Sequence, residues 1–184
     1  MTSMGGVLET MVDRLGCREE CRFEERPDGH GGTCTATVMG LKIDSQSFSI
    51  ELVPDDRLRL MAAHARPPFR LIEGKYVDAC LLFSYINSRH PRGGRLYALD
   101  DGTVGFTHVL NAEDGGELTT QLVMNMVGDA ISMFETHLEA IAAVALTGKT
   151  YEVIRGEYEE RDRKRKDDPR EWTPEPVYRK LKDG

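Results

Sequence analysis

The chain has 184 residues, 40% of them hydrophobic and 30% charged, which is enough for one packed domain with an appendage and too little for two comfortable ones. Its 31 Asp and Glu against 24 Lys and Arg leave a formal charge of −7. The molecule as a whole therefore repels nucleic-acid phosphates and anionic bilayers, and neither nucleic acid nor membrane is expected as a partner.

No apolar run approaches the roughly 20 residues that span a bilayer, and no basic stretch followed by an apolar one marks the beginning of the chain. The expected compartment is the cytoplasm, where Cys17, Cys21, Cys34 and Cys80 stay reduced.

Val7, Leu8, Met11, Val12 and Leu15 recur at helical spacing, with Gly16 as a stop, and predict a first amphipathic helix over 6–15. Three or four strand-type segments follow, at 21–26, 34–43, 47–53 and 58–65, separated by Pro27-Asp28-Gly29, Asp44-Ser45 and Pro54-Asp55-Asp56. They predict an antiparallel meander. Phe48, Ile50 and Leu52 alternate with Ser47, Ser49 and Glu51, as in a strand with one dry and one wet face. The alternation Cys34, Ala36, Val38 is expected to point into the core.

A helix over 77–88 carries Val77, Leu81, Leu82 and Tyr85, and Pro91 disfavours helix at His90. The segments 95–99 and 103–110 flank Asp100-Asp101-Gly102, whose Asp-Gly supplies the positive φ of a tight hairpin. A long helix over 118–146 follows, capped by Thr119 or Thr120 and stopped by a left-handed Gly148.

From 149 the composition changes. Residues 149–184 hold 11 Lys or Arg and 10 Asp or Glu, whereas residues 1–148 hold 13 against 21. The expected organisation is an α+β domain over 1–148 and a charged tail over 149–184, helical over 151–166 and broken at Asp168-Pro169 and Thr173-Pro174-Glu175-Pro176. Arg161, Arg163, Lys164, Arg165 and Lys166 are interleaved with acidic residues and read as a solvated, salt-bridged face.

No Gly-x-Ser-x-Gly elbow, phosphate loop or dinucleotide fingerprint is present, and neither His108 nor His137 sits in a recognisable catalytic or metal pattern. No catalytic, cofactor or metal residue is assigned. One constellation supports an alternative reading: Cys17, Cys21, His30 and Cys34 have spacings loosely like those of a structural zinc site. That reading makes the chain a small zinc-stabilised protein with a nucleic-acid or protein-binding role, set against the plainer one of core thiols and a loop histidine. Met124, Met126 and Met133 fit either a core or an adaptable binding surface.

The stretch 77–146 resembles the YbjN-like family, whose fold is that of the type III secretion chaperones. The resemblance rests on the helix ending Leu82-Phe83-Ser84-Tyr85-Ile86-Asn87, the strand Gly94-Arg95-Leu96-Tyr97-Ala98-Leu99, the turn Asp101-Gly102-Thr103-Val104, and an Asp near the middle of the long helix. It implies an α+β fold: a curved antiparallel sheet of about five strands covered by helices in the order α-βββ-α-ββ-α. It also implies a homodimer that binds or regulates a protein partner without catalysis or a cofactor. The surfaces expected to serve are Phe48, Ile50 and Leu52 on one sheet face and Leu81, Tyr85 and Met126 on helix faces.

Overall fold

The computed structural model describes residues 4–16, 18–28, 31–43, 46–90, 93–112 and 118–167. The elements are α1 (Met4–Leu15), β1 (Cys21–Pro27), β2 (Thr33–Ile43), β3 (Gln46–Asp55), β4 (Leu60–Arg66), α2 (Tyr76–Arg89), β5 (Arg95–Ala98), β6 (Val104–Asn111), α3 (Thr120–Leu146) and α4 (Tyr151–Asp167). The fold is α+β as expected; all four strand-type segments pair in the first meander where the resemblance implied three, so the sheet has six strands rather than about five, in the order β1-β2-β3-β4-β6-β5. Every pairing is antiparallel.

The register shows which face is dry. Met39 lies opposite Ile50, Leu52 opposite Ala63, and Ala65 opposite Phe106. These are buried, together with Val7, Leu8 and Met11 of α1, Leu82, Phe83 and Ile86 of α2, and Met126, Ala130, Phe134 and Ile141 of α3. The helices α1, α2 and α3 thus share one face of the sheet, because each has one apolar stripe to hide.

Local chemistry explains several element ends. The Asp55 side chain accepts the Leu58 N–H at 2.8 Å, an Asx turn that delays β4 to Leu60 where composition predicted a strand from 58. Thr119 caps α3, its hydroxyl accepting the Leu122 N–H at 3.3 Å. The expected left-handed stop at Gly148 is absent. Gly148 is not among the positive-φ residues; instead Thr147 turns extended and the Lys75 ammonium donates to the Gly148 and Lys149 carbonyls at 3.2 and 2.8 Å. A cation thus satisfies two carbonyls of the connection between α3 and α4, while the Ile72 N–H donates to the Ala145 carbonyl in the last turn of α3 at 2.9 Å.

Asn87 clips α2 to the sheet. Its side-chain amide donates to the Leu96 carbonyl at 3.0 Å and its side-chain oxygen accepts the Leu96 N–H at 2.9 Å, so one side chain acts as a short strand along β5. The helix α4 packs on α2 and α3 and belongs to the packed body: Ile154 is in the core, the Asp78 carboxylate accepts the Tyr151 N–H at 2.8 Å, and the Tyr158 hydroxyl lies 3.1 Å from His137 Nδ1. The Tyr151 N–H and then Lys75 hold the Asp78 carboxyl below the usual carboxylate range.

Candidate functional site

Four of the expected surface residues, Phe48, Ile50, Leu52 and Met126, are not available to a partner in this fold. Phe48, Ile50 and Leu52 are buried beneath the helices, as are Met126 and Met133, because the single long apolar helix must first cover its own sheet. Tyr85 is partly buried under α4. Its hydroxyl meets Glu159 at 3.1 Å, its ring stands edge-on to Tyr158 at 5.9 Å, and the Arg89 guanidinium lies 3.9 Å over the ring. Leu81 alone remains an exposed candidate, at 45%, one turn from Val77 at 67%.

The cysteine constellation does not converge. Cys21 lies opposite Met39 and Cys34 opposite Arg26, which puts the two thiols at opposite ends of β1–β2, roughly 17 Å apart at ~3.3 Å per residue. An odd spacing also sends them to opposite faces. Zinc ligands lie about 2.3 Å from the metal, so one ion cannot take both; Cys17 and His30 fall outside the described residues. Among the described residues no three metal-type side chains gather. Burial first, then Asp28 and Asp55, pushes the Cys34 thiol up, which disfavours its thiolate.

A further correction concerns the outer side of the sheet. Cys34, Ala36 and Val38 were expected in the core, yet the register places them on the face away from the helices, since Thr37, Met39 and Leu41 pair with Leu52, Ile50 and Phe48. No described helix packs against that outer face, and its positions Arg22, Gly40, Lys42, Ser47, Ser49 and Val109 are exposed.

Sequence reasoning missed this surface, because the arrangement of its residues depends on register across strands. One row crosses the sheet as Arg22, Val38, Glu51, His64 and Thr107, and the neighbouring row contains Val53, Ala62 and Val109. Glu51 is only 15% exposed, held between Arg26 at 3.3 Å and Arg66 at 3.8 Å. The Arg66 Nε donates in turn to the Tyr97 hydroxyl at 3.5 Å. Arg26 thus reaches over β2, and Ala36 is fully buried although it lies on the open face, which fits an arginine stem lying over it. The only sequence signal was the period-2 polarity of Ser47, Ser49 and Glu51.

Two histidines flank the central strands on opposite faces. Burial, then Arg66, holds His64 below the ordinary imidazole value, with Glu51 opposing. Burial does the same to His108, opposed by Asp129, whose carboxylate lies 3.5 Å from His108 Nδ1.

A folded-state value below the unfolded one means that the unfolded chain takes up protons first, so this stability is present in full above the unfolded value of about 6.5 and is lost as pH falls through the lowered values. The thermal midpoint is therefore expected to fall between about pH 7 and pH 5, and to fall less in His64→Gln and His108→Gln. Equal slopes in all three proteins would rule out this cause.

The tail cluster is a solvated face where it is described: Arg161 pairs with Glu139 at 2.9 Å and Lys164 with Glu160 at 2.9 Å. The chain is thus an α+β domain with one sheet face that no described helix covers, on which Val38, Val53, Ala62 and Val109 lie among polar and charged side chains. No protein-family model matches it, and no curated protein matches it in sequence.

Proposed function

We propose that the chain is a non-catalytic protein-binding module, chaperone-like or regulatory, acting in the cytoplasm as a homodimer on a protein partner. The observation that carries this reading is the outer face of the sheet, where Val38, Val53, Ala62 and Val109 lie among arginines and glutamates with no described helix over them. Small apolar side chains ringed by polar ones are the composition of an interface core and rim. The resemblance to the YbjN-like family and the type III secretion chaperones supports the same reading through the order of helices and strands.

The edges of the sheet favour docking on a face over strand addition. The edge strand β1 reads Cys-Arg-Phe-Glu-Glu-Arg-Pro, and charge with proline blunts an edge. The other edge, β5, has only four residues and is clipped by Asn87. For the dimer, the exposed pair Val77 and Leu81 on α2 offers a self-complementary stripe.

Light scattering on the purified chain tests the dimer: twice the 20.7 kDa chain mass is expected for the native protein, and a folded monomer for Val77→Glu with Leu81→Glu. A native monomer at micromolar concentration would refute the dimer. A photo-crosslinking residue in place of Val109 tests the face, since a crosslink to another polypeptide is expected there and none from an exposed α4 position such as Glu152.

A further inference from the structure

Beyond β4 the chain leaves the sheet because Pro67 and Pro68 remove two ladder donors and hold the backbone extended. It is then tied back to the β5–β6 turn by the Arg70–Thr103 bridge and by the Leu71 N–H donating to the Gly102 carbonyl at 2.8 Å. Between the departure and the tie lies an open-sided cavity of about 470 Å³, within the size range of ligand pockets. Pro67, Phe69 and Leu99 give it apolar walls, and Arg66 and Arg70 line it together with one carboxylate, Asp101.

These two arginines have donors to spare. A guanidinium carries five N–H donors. Among the described residues, Arg66 reaches only Tyr97 at 3.5 Å and Glu51 at 3.8 Å, and Arg70 only Asp101 at 4.0 Å. Asp101 is itself fixed, its side chain accepting the Thr103 N–H at 2.9 Å, so it does not close on Arg70. Apolar walls with two unspent guanidinium forks fit a bulky apolar side chain with a carboxylate next to it.

We propose that this cavity is the anchor subsite for an acidic segment of the partner polypeptide, which seats a bulky apolar side chain between Phe69 and Leu99 and its neighbouring carboxylates on Arg66 and Arg70. The proposal rests on the protein-binding reading and adds the partner's chemistry to it. A polypeptide fits better than a free organic acid because Arg66 belongs to both the cavity and the outer face, beside Ser49 of β3, so a chain leaving the cavity continues over the sheet. Charge agrees: in a chain of net charge −7, the outer face gathers Arg22, Arg26, Lys42, Arg66 and Arg95 against Glu24, Glu51 and Asp55. A basic face on an acidic protein selects acidic segments.

Amide NMR spectra of the full chain, titrated with a capped hexapeptide of alternating leucine and glutamate, test this directly. Saturable shifts are expected at residues 69–71 and 99–104, with affinity lowered about tenfold or more in Arg70→Gln and for the matching leucine–glutamine peptide. The Arg70 side chain is 70% exposed, so that variant keeps the fold, whereas Arg66→Gln also disturbs Glu51.

No shift at millimolar peptide, or equal binding of the glutamine peptide, overturns the proposal. Isocaproate shifting the same amides as strongly as the peptide assigns the cavity to small organic acids and overturns it as well. Failure here with an intact crosslink at position 109 removes the subsite alone; loss of both removes the protein-binding reading.

Discussion

Replacing Phe134 by alanine is expected to lower the stability of the fold by about 3–5 kcal/mol, the range for truncating a buried aromatic ring. Phe134 is 1% exposed and sits on the α3 face that covers the sheet, with its ring 4.8 Å from that of Phe48 on β3 at a tilt of 47°. That contact joins the longest helix to the centre of the sheet. Truncation removes the transfer free energy of the ring, the favourable tilted pair and the close packing of the surrounding side chains. Because whole domains are stable by only about 5–15 kcal/mol, the variant is expected to unfold at markedly lower denaturant. A loss below about 1 kcal/mol, measured by equilibrium unfolding, would mean that α3 does not pack on β3 through this ring.

The second large effect comes from a single methyl group. Gly94 has φ of +83°, and a Cβ there would run into the Phe106 ring and stand 2.8 Å from the Thr107 carbonyl oxygen. Phe106 is fully buried and the Thr107 carbonyl is backbone, so neither can give way. Left-handed backbone costs an L-residue about 1–2 kcal/mol and overpacking about 1–3 more; Gly94→Ala is therefore expected to cost about 2–4 kcal/mol. Gly128→Ala is the matched control. It lies inside α3 with nothing within 4 Å of the added carbon, so the same change is expected to stabilise by about 0.5–1 kcal/mol through helix propensity. Thermal unfolding of the pair is expected to give shifts of opposite sign, and shifts of the same sign would contradict the backbone geometry at Gly94.

Two residues that carried the family resemblance have structural roles here. Asn87 bonds both backbone groups of Leu96, and Asp129 faces His108 across the α3–β6 contact. Neither contact reports on a partner. The same holds for Tyr85, expected on an open helix face: the charged tail folds back as α4 and covers it. Composition alone did not show this, because the only apolar stripe of α4 is Tyr151, Ile154 and Tyr158 at helical spacing within a strongly charged segment, and the rest of its docking is polar, through the Tyr151 N–H and Glu159.

What the chain determines locally is readable without a fold. The helical stripes of α1 and α3, the Gly102 turn with φ of +82°, the Thr119 cap, the end of α2 before Pro91 and the alternation of β3 all follow from forces acting within a few residues. The composition of the outer face, the separation of Cys21 from Cys34 and the cavity beside Arg66 were decided only by the tertiary structure. The reason is the period of two in a strand: alternation shows that a strand has two faces, but which face the helices cover, and which residues of four strands form one row, depend on a register that is settled only when the strands pair.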